Sequence, residues 1–202
     1  MDKVCSLSGE ELAVIEKLDG TKLPKEVNFE YFQHCNELKP LYSVAKAVGL
    51  VPSNVKKWAD AAPGRYEMMG LFAFGLQPNK KQHFVNVRTF TGWALKKPNT
   101  RRQMIRHFHR DVARVKRGQT RREILANGKN YIFEDLCHRG IIPKPFSSKK
   151  GRDTLIEMAR QNGNAKEEVG LYQDDAFSEW LVNPSRFFKF LVNAYGLVSV
   201  DQ

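Results

Sequence analysis

Residues 96–122 read KKPNTRRQMIRHFHRDVARVKRGQTRR, and whether this stretch is one helix decides what kind of fold the chain adopts. It holds eleven bases, Lys96, Lys97, Arg101, Arg102, Arg106, Arg110, Arg114, Lys116, Arg117, Arg121 and Arg122, against one acid, Asp111. The whole chain of 202 residues has 33 lysines and arginines and 22 acids, a formal charge of +11, so the rest is close to neutral. Turned by about 100° per residue, a helix over 99–117 gathers Met104, Ile105, Phe108, Val112 and Val115 into an arc of roughly 100°. Arg102, Arg106, Arg110, Arg114 and Arg117 fall on the far side. Four of these arginines recur every fourth residue, about 6 Å apart, a spacing at which like charges destabilise an isolated helix. Asn99 supplies an N-cap and Gly118 a stop. An ordinary solvated face mixes signs and this one does not, so the expectation is a cationic rod lying against a polyanion.

Upstream, residues 41–58 read LYSVAKAVGLVPSNVKKW. Ala45 stands where one helix crosses another closely, and Gly49, four residues on, stands at a turn that needs positive φ. Val44, Val48, Leu50, Val55 and Trp58 complete a small core, Pro40 opens the first helix and Ser53 caps the second. This pattern of about twenty residues resembles the helix-turn-helix of the DNA-binding superfamily. The resemblance implies that Asn54, Lys56 and Lys57 face outward into a major groove, where Asn pairs with adenine and Lys with guanine. Asp60 interrupts the basic face at one end. A purely structural helical hairpin is the competing reading.

Between the two stretches, residues 65–76 are apolar on both faces and fit a buried strand or a buried helix equally. Residues 77–82 form a basic turn, and 83–91 are rich in β-branched and aromatic residues. Two strands about that turn would resemble the wing of a winged helix and set Lys80 and Lys81 beside a duplex backbone; a core hairpin with a polar loop is the alternative.

Toward the amino terminus, Ser8 and Glu11 make a capping box for a helix ending near Gly20, and a second helix is expected over 28–38. Residues 1–39 carry eight acids and five bases, so packing or a partner contact is expected there. Toward the carboxyl terminus, Thr120 and Glu123 form another capping box, and 131–138 reads as a helix. Residues 141–151, with Pro143, Pro145, Ser147, Ser148, Lys149 and Lys150, read as a linker or exposed basic loop. Helices are expected at 153–161, 174–181 and 184–194, the last capped by Asn183 and stopped by Gly196. Its Phe187, Phe188, Phe190, Leu191 and Tyr195 suit either a terminal helix packed on the core or a docking arm for a neighbouring subunit.

Catalytic signals are sparse. No phosphate-cradling glycine loop is present. His107 and Arg110 make a His-x-x-Arg, but no tyrosine nucleophile follows at a recombinase spacing, and His107 is expected to pair with Asp111. Glu167-Glu168 and Asp174-Asp175 are neighbours that diverge on a helix. Cys5, Cys35 and Cys137 lack a Cys-x-x-Cys pair, so reduced thiols are expected, and Cys137-His138 with His107 or His109 lacks the paired spacing of a zinc site. No cofactor or metal is expected. No apolar run reaches the ~18 residues of a membrane span, and no secretory signal follows Met1-Asp2-Lys3, which points to the cytoplasm or a nucleus.

The expected fold is mainly α, a multi-helical chain with a helix-turn-helix unit and at most one small β-hairpin. Its expected divisions are 1–39, 40–140, a linker at 141–151 and an acidic helical region at 152–202. The expected function is a non-catalytic, sequence-reading DNA-binding protein, a transcriptional regulator of a phage, plasmid or bacterium. Asn54, Lys56 and Lys57 would read bases, while Lys80, Lys81, Lys96, Lys97, Arg101, Arg102, Arg106, Arg110, Arg114, Arg117, Arg121 and Arg122 hold phosphates. The alternative is an RNA-coating, nucleocapsid-like protein that multimerises on single strands, joined through its C-terminal aromatic helix.

Overall fold

The computed structural model describes residues 23–24, 27–74 and 82–196. The expected helix at Ser8 and the basic turn with Lys80 and Lys81 lie outside the described residues. The chain is 53% helix and 15% strand, with a three-stranded and a four-stranded sheet, so the mainly α expectation is corrected to a mixed α/β fold. It divides into two compact units, Met1–Phe108 and His109–Gln202.

The first unit contains α1 Phe29–His34, β1 Leu38–Pro40, α2 Leu41–Ala47, α3 Pro52–Asp60, α4 Arg65–Met68, β2 Leu71–Phe74, β3 Gln82–Asn86, α5 Val87–Lys96 and α6 Pro98–Phe108. Strand β3 is central, with β1 and β2 antiparallel on its two sides. Val44, Val48, Val55, Phe84, Phe90 and Met104 are almost wholly buried. Each such side chain contributes roughly 1.5–3 kcal/mol on leaving water. The apolar stretch from residue 65 gave no clear period because residues 65–74 divide into a one-turn helix, a glycine at positive φ and a strand. The strand expected over 83–91 ends at Asn86, whose side chain accepts the Thr89 N–H at 3.0 Å and so starts a helix there.

The expected helix over 99–117 stops at Phe108. The Phe108 ring packs edge-on against Phe29 and Phe32, at 5.2 and 5.9 Å. Beyond it the chain becomes the first strand of the second unit, where Asn130 donates its N–H to the Asp111 carbonyl at 2.9 Å. The single apolar arc seen in sequence is therefore divided between the two units: Met104, Ile105 and Phe108 belong to the first, Val112 and Val115 to the second, with Val115 in its core.

The second unit contains β4 Val112–Ala113, α7 Arg121–Ala126, β5 Asn130–Ile132, α8 Phe133–His138, α9 Lys149–Gln161, α10 Ala165–Glu168, β6 Leu171–Asp174, β7 Glu179–Val182 and α11 Pro184–Tyr195. The sheet order is β4-β5-β7-β6, antiparallel except for β4 on β5. Thr120 and Glu123 form the reciprocal capping box read from sequence, at 2.8 and 3.3 Å. Asn183 caps α11 and Gly196 ends it at φ +62°, as expected. Two expectations fail here. The helix at 174–181 is a β-hairpin, its alternation hidden because Leu171, Leu181 and Val182 are buried close to the acids of a tight turn. The linker at 141–151 lies inside the unit, with Ile141, Ile142 and Phe146 in its core, so the chain divides after Phe108 and not there.

The two units repeat one another. The succession β1-α2-α3-α4-β2-β3-α5 over 38–96 recurs as β5-α8-α9-α10-β6-β7-α11 over 130–195, with the same strand order and the same antiparallel pairing. Residues 55–74 and 155–174 correspond without a gap. The buried pair Val55 and Ala59 becomes Leu155 and Ala159, and Leu71 opposite Val85 becomes Leu171 opposite Val182. A joint between hairpin and last helix is duplicated in detail. Gly70 (φ +62°) accepts the Asn86 N–H at 2.8 Å, and Gly170 (φ +73°) accepts the Asn183 N–H at 2.7 Å. Each Asn then caps its helix through its side chain, on Thr89 N–H at 3.0 Å and on Arg186 N–H at 3.2 Å.

Candidate nucleic-acid interface

In the first unit, α2 and α3 meet through a turn in which Gly49 (φ +77°) donates to the Lys46 carbonyl at 3.1 Å and Leu50 to that of Ala45 at 2.8 Å. Only glycine fits: a Cβ at 49 would stand 2.5 Å from the His107 Cβ. Ala45, Val48, Leu50, Val55 and Ala59 are buried between the helices and the sheet. Trp58 reaches the Trp93 ring at 6.0 Å. Val51 occupies the N-cap of α3, with Pro52 in its first turn, where the sequence had suggested Ser53. This packing leaves Ser53, Asn54, Lys56 and Lys57 outward and exposed. Among the described residues, no side chain forms a hydrogen bond or ion pair with Asn54, Lys56 or Lys57.

Asp60, which breaks the basic face, is turned to the protein's own use. The Tyr66 hydroxyl donates to its carboxylate at 2.7 Å, and Arg65 donates to the Trp58 carbonyl at 3.1 Å, so α4 clasps the end of α3. Burial, reinforced by the Asp60 hydrogen bond, pushes the Tyr66 hydroxyl up to about 12. The neutral donor is therefore retained at every ordinary pH.

The remaining cations do not form one stripe. Lys96 and Lys97 are exposed at the end of α5. Arg101, Arg102 and Arg106 lie on α6, half-buried and engaged within the protein, Arg101 with the Leu95 carbonyl at 3.5 Å. Arg110, Arg114, Arg117 and Arg122 are exposed, but they belong to the second unit. Arg121 is pinned there, its Nε donating to the Ile141 carbonyl at 3.1 Å and its guanidinium 5.1 Å from the Phe188 ring. The pairing of His107 with Asp111 does not form. Asp111 accepts from the Asn130 side-chain amide at 2.6 Å, and His109 meets Asp174 at 2.9 Å. The bare cationic rod is thus replaced by a charged unit: residues 38–96 hold nine lysines and arginines against two acids, Asp60 and Glu67.

Among the described residues no group of His, Cys, Asp and Glu could hold a metal ion, and no helix is long and apolar enough to cross a membrane. Cys137 lies in the second core, where burial pushes its thiol up to about 12. The C-terminal helix turns Phe187 and Leu191 into its own unit's core and leaves Val192 and Tyr195 exposed.

No protein-family model, curated protein or solved structure matches the chain. Function must therefore be argued from these residues. The repeat is what sequence reading missed, because the twenty aligned positions share only Ala59/Ala159, Glu67/Glu167, Gly70/Gly170 and Leu71/Leu171.

Proposed function

We propose that the chain is a non-catalytic nucleic-acid-binding protein that reads duplex DNA through α3 of its first unit, in the manner of a transcriptional regulator. The supporting observation is the outward face of α3, where Asn54, Lys56 and Lys57 are exposed and unengaged on a helix held by a glycine turn. Asn and Lys are base-edge readers of adenine and guanine, and exposed polar side chains on a second helix are suited to a major groove. The hairpin of β2 and β3 follows the helix pair after the one-turn helix α4, and in sequence the basic residues Lys80 and Lys81 fall between its strands, where a wing would carry phosphate contacts. Lys96, Lys97, Arg110, Arg114, Arg117 and Arg122 add phosphate attraction through counterion release.

Selection from random oligonucleotides, offered as duplex DNA and as RNA, tests this reading. A defined duplex sequence is expected, with affinity falling steeply as salt rises. The double change Lys56→Glu and Lys57→Glu should cost on the order of 100-fold in affinity, since it removes two cations and adds two anions at the groove. Asn54→Ala should shift the selected sequence with a smaller loss. Enrichment of unstructured single-stranded RNA, with no preferred duplex, would replace this reading by the RNA-coating one.

A further inference from the structure

The second unit repeats the scaffold of the first but does not repeat its outward face. At the positions of Lys56 and Lys57 it has Ile156 and Glu157. Glu157 is already engaged by its own helix, accepting from Gln161 at 3.0 Å and meeting Arg160 at 3.6 Å. Thr154, in the place of Asn54, donates its hydroxyl to the Lys150 carbonyl at 3.0 Å. The half of α9 equivalent to the proposed reading surface is therefore satisfied internally and is poorly furnished for reading bases.

The other half differs. Where the first unit joins its two helices by the uncharged residues 48–51, the second inserts a longer connection, and residues 136–152 carry five lysines and arginines and no acid. All nine acids of residues 130–195 lie outside that segment. Arg139, Lys144, Lys149 and Lys150 are exposed, and among the described residues none of their side chains forms a hydrogen bond or ion pair. Arg152 is half-buried, 3.8 Å from Glu134. A face kept soluble by charge would interleave signs, as the rest of this unit does. Along the chain this segment has one sign only, at the turn and first helical residues that in the first unit lead into the proposed reader; the acids Asp153 and Glu157 follow on α9 and line one groove with Lys149 and Lys150.

We propose that the second unit grips the sugar-phosphate backbone of the same duplex through Arg139, Lys144, Lys149 and Lys150, without reading sequence. The proposal rests on the DNA-binding reading of the first unit and assigns the second a different task. One repeat selects; its copy holds on.

The test uses the full chain with Lys149→Glu and Lys150→Glu, compared with Lys56→Glu and Lys57→Glu, on the selected duplex over a range of salt. The Lys149/Lys150 variant should lower the slope of log affinity against log salt by about two and weaken binding roughly tenfold or more. It should leave the selected sequence unchanged and shorten the hydroxyl-radical footprint. Lys149→Gln and Lys150→Gln, which cannot repel the helix or the unit, should show the same change in slope. An unchanged slope and footprint, with binding still lost in the Lys56/Lys57 variant, overturns the second contact and leaves the first reading standing. Altered sequence choice in the Lys149/Lys150 variant also overturns it, because a backbone grip carries no base information. If neither pair affects binding, the parent reading falls and this one with it.

Discussion

Residues 38–96 and 130–195 build the same three strands and four helices around the same glycine–asparagine joint, yet the first segment carries nine bases to two acids and the second nine to nine. The positions that keep the scaffold are alike: a buried aliphatic and alanine on the second helix, Gly70 or Gly170 before the hairpin, and Val-Asn before the last helix. Outward positions have diverged almost completely. Met68, Phe72 and Phe74 correspond to Glu168, Tyr172 and Asp174, and Lys57 corresponds to Glu157. Fold and surface are thus separable in this chain. The repeats test which residues belong to which.

The largest expected structural effect is at the joint. Gly70→Ala and Gly170→Ala each force a side chain onto a left-handed backbone, at roughly 1–2 kcal/mol, and into Thr89 Cβ at 2.8 Å or Arg186 Cβ at 2.7 Å. Each change should cost its own unit about 2 kcal/mol or more and leave the other untouched. Urea unfolding followed by tryptophan fluorescence separates the two, since Trp58 and Trp93 report the first unit and Trp180 the second. A single shared transition displaced equally by both changes would break the picture of two self-sufficient repeats.

A smaller and matched effect is expected at the caps. Asn86→Ala and Asn183→Ala each remove an acceptor for a helical N–H, and a lost N-cap typically costs about 1 kcal/mol. Asn86 also donates to the Asn36 side chain at 2.9 Å and Asn183 to Asn130 at 3.3 Å, so the shorter bond should make Asn86→Ala the costlier change. Equal midpoints for wild type and either variant would mean that the duplicated joint is only geometric.

The smallest effect carries no change in stability at all. Cys137 is buried with its thiol raised to about 12, whereas Cys35 is half-buried and donates to the Tyr31 hydroxyl at 3.3 Å. In a Cys5→Ser background at pH 8, alkylation should label Cys35 first and Cys137 only when the second unit opens, because the thiolate is the reacting form. Rapid labelling of Cys137 under native conditions would show that the second repeat opens far more readily than its packing suggests.

Local features were largely legible in the sequence: the residues of the helix pair at 41–58, the Thr120/Glu123 box, and the capped and glycine-stopped helix from Pro184. Each depends on interactions a few residues apart, which spacing reveals. What failed was whatever depended on distant partners. The arc from Met104 to Val115 obeys helical periodicity, but nothing local states that Phe108 will lie against Phe29 while Val112 pairs with a strand near Asn130. The hairpin at 171–182 was masked by its acidic turn, and the repeat by insertions of different length in each copy. For the candidate site, the outward exposure of Asn54, Lys56 and Lys57 was legible through the helix-turn-helix resemblance, whereas the single arginine face was drawn through a boundary between units.

Seven residues, 75–81, connect β2 to β3, and four, 175–178, connect β6 to β7. Each hairpin is held at its base by the glycine carbonyl and the asparagine beside it, and the second also at its turn, where Phe177, itself buried, donates its N–H to the Asp174 carboxylate at 3.0 Å. The two hairpins thus close from the same end, and the second adds a fastening of its own where its chain reverses.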